Sequence, residues 1–164
     1  MADIIEVVNK IGADVELSLS RNDPSELFKN TVLLYSLTEN FLKFIVATNM
    51  AWNESNKQAE DVTYGVDFGS IRRTAKNANF AETIKKAEAL QLISPDLRKR
   101  LDNLRKERND FIHELYLYQN IDDTQAQRTN LLQVRAIMME LVPIFEHLLF
   151  EEIGVDAPEV FETL

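Results

Sequence analysis

The chain has 164 residues, 18 Lys plus Arg against 27 Asp plus Glu, a formal charge of −9, no Cys, 4 Gly and 4 Pro, and is 45% apolar. The absence of cysteine excludes a disulfide framework, a thiol nucleophile and a thiolate metal site. The low Gly and Pro content and the apolar fraction argue against disorder and against a turn-rich all-β fold, and the length fits one domain over residues 1–164 with a self-sufficient core.

The pattern is helical almost throughout. Asp23-Pro24-Ser25-Glu26 combines a capping Asp, a Pro suited to the first helical position and a Glu at capping-box spacing. It predicts a long helix over about 24–53, with Phe28, Val32, Tyr35, Leu42 and Val46 on one stripe and Leu34, Phe41 and Ile45 beside it. So broad an apolar face belongs to the central helix of a bundle. Residues 53–69 are polar, contain Gly65 and Gly69, and read as a loop; 70–77 read as a short basic helix. Asn79 with Glu82 opens a helix to about Leu92, and Ser94-Pro95 opens another to about Gln119. Asp122 and Asp123 start the last long helix, which Pro143 should kink, and 155–164 read as a loosely attached acidic tail. Alternating runs bounded by turn residues are absent. The expected fold is an all-α antiparallel helical bundle of about five to six helices.

Charge is unevenly spread along this bundle. Residues 1–71 hold 5 basic and 11 acidic side chains, 72–108 hold 11 and 5, and 109–164 hold 2 and 11. A block of net +6 therefore lies between flanks of −6 and −9. The acidic total argues against coating nucleic acid by bulk charge and against binding anionic membranes. The start, Met1-Ala2-Asp3-Ile4-Ile5-Glu6, lacks the basic region of a signal peptide. The most apolar stretches, 32–52 and 136–150, are interrupted by Glu39 and Lys43 and by Glu140, Glu146 and His147. Neither offers the roughly 18 uncharged residues of a membrane span. The expectation is a soluble cytoplasmic protein with no membrane partner.

The helix opening at Pro95 carries the chemical signal. Leu97, Leu101, Leu104, Arg108, Phe111, Leu115 and Tyr118 are spaced alternately four and three apart, the seam of a packed helix. Arg108 is its one charged member. An arginine there is costly unless it is paired, with an acid such as Glu39, or faces a wet cleft. Asn109 and His113 are four apart and share a face. Arg108 and His113 lie about 140° apart around the helix axis. Either the long Arg stem reaches round, or a second copy of the helix supplies the missing group across a two-fold axis.

The segment Leu104-Arg105-Lys106-Glu107-Arg108-Asn109-Asp110-Phe111-Ile112-His113-Glu114 resembles the signature of HEPN domains: an Arg, usually followed by a polar residue, with four to six residues in total between it and a His, here four. Its place late in a long helix, with one more long helix to follow, also resembles that family. The resemblance implies a HEPN-like bundle acting as a metal-independent endoribonuclease, without cofactor, its site shared across a homodimer. Arg108, Asn109 and His113 would form the site. RNA carries a 2′-OH that attacks its own phosphate, so the protein must move protons and stabilise charge. His113 would transfer the proton, Arg108 would stabilise charge on the phosphate oxygens, and Asn109 would orient either partner. Arg98, Arg100, Arg105 and Lys106 would feed RNA towards the site. The setting implied is toxin–antitoxin or phage defence, with a protein antitoxin or regulatory partner. HEPN toxins paired with nucleotidyltransferase antitoxins carry a Tyr two residues after the His, where this chain has Leu115; its tyrosines are Tyr116 and Tyr118. The alternative is a non-catalytic interaction or regulatory module, resembling the mannitol operon repressor family.

Other constellations are weaker. Asp110 and His113 make half of a di-metal carboxylate motif, but position 144, three before His147, is Ile144. A phosphotransfer bundle would carry Lys and Gly where Tyr116 and Leu117 stand. Residues 65–69 hold two glycines but form no phosphate loop. No metal ligands are expected.

Overall fold

The computed structural model describes the backbone of residues 2–58, 67–113 and 123–152, and the side chains of residues 9–54, 67, 69–109 and 123–150. Residues 59–66 of the expected 53–69 loop, the helix end beyond His113 with Leu115, Tyr116 and Tyr118, and the tail at 155–164 lie outside the described residues; 53–58 and 68–69 are helical rather than loop, no Gly or Pro standing at 53–58 to stop the long helix and Asp67 capping the next. What is described is an all-α bundle: α1 (Ala2–Arg21), α2 (Pro24–Gln58), α3 (Phe68–Asn77), α4 (Phe80–Ala89), α5 (Pro95–His113) and α6 (Thr124–Glu146), the last widening into a π-helical turn over His147–Glu152. No strand occurs among the described residues.

Side-chain oxygens set most of the helix starts. The carboxylate of Asp23 accepts from the backbone N–H groups of Ser25 and Glu26 at 2.9 and 3.1 Å. Asp67 accepts from Gly69 N–H, Asn79 from Ala81 and Glu82, and Asp123 from Ala126. Each satisfies first-turn donors that have no partner within the helix. The Ser94 hydroxyl takes the same role for α5, accepting from Leu97 N–H at 3.1 Å. Two ends use left-handed residues. Asn22, at φ 56°, closes α1 and lets α2 fold back after a two-residue link. Gln91, at φ 59°, closes α4 with Gln91 N–H on the Glu88 carbonyl and Leu92 N–H on the Ala87 carbonyl, both 2.9 Å. That is a Schellman end. It stops α4 at Ala89, about three residues short of the expected Leu92, because a non-glycine residue carries the reversal.

The core sits around α2, which packs against α1, α3, α4, α5 and α6. Its Leu27, Leu42 and Ile45 are fully buried, as are Leu131, Met138 and Leu141 of α6. Phe145 closes the lower end, its ring 4.8 Å from that of Phe41 and 5.7 Å from that of Phe44. α6 continues through Pro143, and its winding widens four residues later at His147, which stays exposed. A smaller apolar contact, Ala47 with Ile71 and Ala75, fastens α3 to the far half of α2. No helix among the described residues is long and apolar enough to cross a membrane.

Candidate functional site

The seam of α5 decides where Arg108 goes. Leu97, Leu101 and Leu104 are 3%, 0% and 1% exposed, so the next seam position is carried towards α2 by the same face. There Arg108 meets Glu39. Arg108 Nη2 lies 3.2 Å from Glu39 Oε2, and Nη1 donates to Asn109 Oδ1 at 3.2 Å. The other carboxylate oxygen of Glu39 accepts from Lys43 Nζ at 2.6 Å. The side chains of Glu39 and Lys43 are 13% and 10% exposed, that of Arg108 33%. Arg108 Nε is buried and makes no hydrogen bond.

Two cations therefore share one carboxylate, leaving a net positive centre that is mostly withdrawn from water. Glu39 pins one edge of the guanidinium, and the pinned group still reaches solvent. In such a place an anion gains more than it would in bulk water, because charges interact more strongly at lower effective dielectric. Asn109 is half-buried and already engaged by Arg108, so its oxygen orients the guanidinium. His113 ends the described part of α5, one turn beyond Asn109 on the same face of a continuous helix. Its side chain lies outside the described side chains.

The four basic residues expected to lead RNA inward behave differently from one another. Arg98 bridges to Glu88 of α4 at 3.2 Å and to Asp102 at 3.6 Å. Arg100 holds Asp96 at 2.9 Å and grips Glu140 of α6 with both terminal nitrogens. This two-pronged contact raises the Arg100 pKa and lowers that of Glu140. Arg105 approaches Asp102 at 3.7 Å. Lys106 is exposed. Arg98 and Arg100 thus tie α5 to its neighbours, and their charge is met by carboxylates within the bundle.

Sequence reasoning anticipated Glu39 as a partner for Arg108 and missed the part played by Lys43. The available signal was the Glu39–Lys43 pair itself: two opposite charges four residues apart inside the most apolar stretch of the chain. Charges that interrupt a buried helix face need a partner. Among the described residues no group of three His, Asp or Glu could hold a metal ion. A polar groove between α1 and α2, lined by Asp14, Ser18 and Asn30, is closed by its own hydrogen bonds, Asn30 donating to Ser18 Oγ and to the Asp14 carbonyl. None of the protein families, curated proteins or solved structures compared with the chain matches it.

Proposed function

We propose that this protein is a HEPN-like, metal-independent endoribonuclease that works as a cytoplasmic homodimer. The observation that carries the reading is the Arg108 centre: an arginine at an apolar seam, fixed by Glu39 and Asn109, net positive together with Lys43, one residue before Asn109 and five before His113. The chemistry needs no external nucleophile. The 2′-OH of RNA attacks the adjacent phosphorus, the bond to the 5′ oxygen breaks, and a 2′,3′-cyclic phosphate and a 5′-hydroxyl result. His113 moves the proton, and Arg108 stabilises the charge on the non-bridging oxygens. Because Arg108 and His113 diverge by about 140° on one helix, a second copy across a two-fold axis completes the cleft. A protein antitoxin or regulatory partner would cover this cleft in a toxin–antitoxin or phage-defence setting.

One observation favours a non-catalytic regulatory module instead. Arg108 is paired inside its own chain, and Arg98, Arg100 and Arg105 are met by carboxylates. The deciding experiment incubates the protein with single-stranded and structured RNA in EDTA, beside His113→Ala and Arg108→Ala. Cleavage by the wild type that both variants lose supports the nuclease. RNA left intact by a dimeric wild type supports the module.

A further inference from the structure

Ion pairing divides the basic block into two kinds of surface. On α4 and α5 most of the cations, Lys85, Arg98, Arg100, Arg105 and Arg108, lie against a carboxylate, with the exposed Lys86, Lys99 and Lys106 interspersed among them. α3 is different. Its Ile71 and Ala75 are buried against Ala47, and its other side presents Arg72, Arg73 and Lys76, all exposed. None of the three has an ion-pair partner among the described residues. The ten residues of α3 include no acid, and the preceding Asp67 is occupied as the helix cap, accepting from Gly69 N–H at 2.9 Å. In a chain of net −9, three adjacent cations on one short helix thus meet no carboxylate among the described residues. Like charges four apart, as at 72 and 76, destabilise a helix slightly, so packing alone gives no reason for them.

We propose that the exposed face of α3 is a docking surface for the phosphate backbone of RNA entering the Arg108 centre. The proposal rests on the reading of that centre as one that acts on RNA. Position supports it. α3 is fastened to α2 at Ala47, eight residues past Glu39, which is about 12 Å along the helix axis. Flexible cations grip phosphates without reading bases, so the surface holds single strands of any sequence. An acidic protein segment could satisfy the same three charges. RNA is favoured because a second net positive feature, the Arg108 centre where α5 meets α2, lies about 12 Å along α2 from the point where α3 is attached.

The test measures binding of a fluorescent 2′-O-methyl oligoribonucleotide by anisotropy over a range of salt. This probe lacks the attacking hydroxyl, so binding is read apart from cleavage. The variants are Arg72→Ala/Arg73→Ala/Lys76→Ala and, as a control of equal charge, Lys10→Ala/Arg21→Ala/Lys29→Ala, each checked for its helical signal and melting. We expect the α3 triple variant to bind at least about ten-fold more weakly at low salt. Its salt slope should fall by about 2, at roughly 0.7 for each single-strand phosphate no longer neutralised, while the control keeps the wild-type slope. Equal weakening by both triples, or wild-type binding by the α3 triple, overturns the proposal. So does a result in which the α3 triple loses only its affinity for polyglutamate. Cleavage of unmodified RNA is scored separately. Binding that depends on α3 in a protein that never cleaves keeps the docking surface and rejects the nuclease. Cleavage without dependence on α3 does the reverse.

Discussion

Replacing Glu39 with Gln removes one negative charge and leaves two cations, Arg108 and Lys43, facing each other without it. Removing one partner of a well-buried ion pair costs about 3–5 kcal/mol, because the remaining charge is stranded. Lys43 is close to that limit, at 10% side-chain exposure, while Arg108, at 33%, recovers part of its hydration. The expected loss is therefore about 2–3 kcal/mol. In a domain of this size it corresponds to a fall in Tm of roughly 4–12 °C. Urea and thermal unfolding followed by circular dichroism measure it. A double-mutant cycle sharpens the test, since Glu39→Gln in an Arg108→Met background strands only Lys43 and should cost clearly less. A Glu39→Gln protein within about 0.5 kcal/mol of wild type, or strict additivity in the cycle, would refute the claim that one carboxylate holds this centre together.

Three further predictions bear on the scaffold. Asn79→Ala removes the oxygen that accepts from Ala81 and Glu82 and should cost about 1 kcal/mol in denaturant, whereas Asn79→Asp should cost little. Phe145→Ala opens a cavity under Phe41 and Phe44 and should cost about 3–5 kcal/mol; a loss below about 1 kcal/mol would contradict the packing described. Glu140 has a lowered pKa, first through its hydrogen bonds from Arg100, so its contribution is complete above the ordinary carboxylate value and disappears as pH falls through the lowered one. The stability gap between wild type and Glu140→Gln should accordingly shrink below about pH 4–5, and a gap constant from about pH 7 to 3 would show that the contact does not act through charge.

Much of the bundle was legible because its helix starts are written in short-range chemistry. Asp23-Pro24, Asn79 with Glu82, Ser94-Pro95 and Asp123 each supply an acceptor beside the first free N–H groups, and no tertiary information is needed to see it. The exit from α4 was not legible. Gln91 adopts the left-handed conformation where Gly is the usual sign, so the reversal is enforced by the packing of Ile93 and Leu97 beyond it. For the site, the apolar seam located Arg108 and the need for a counter-charge suggested Glu39. The fate of Arg98 and Arg100 was hidden, since their partners Glu88 and Glu140 come from other helices and only the folded chain brings them within reach. Within the charge block that looks like one basic surface along the sequence, Arg98, Arg100 and Arg108 act in the structure as interhelical clamps, while Arg72, Arg73 and Lys76 of α3 form an open face.

The central claim is that the Arg108 centre, with His113, cleaves RNA without a metal. Its most direct test is gel analysis of 5′-labelled RNA incubated in EDTA with the wild-type protein, with end-group analysis of the fragments. The account predicts fragments ending in 2′,3′-cyclic phosphate, at a rate reduced at least about 100-fold by His113→Ala, in line with the loss of a general acid–base group. Intact RNA with the wild type, or cleavage that His113→Ala retains, would contradict it.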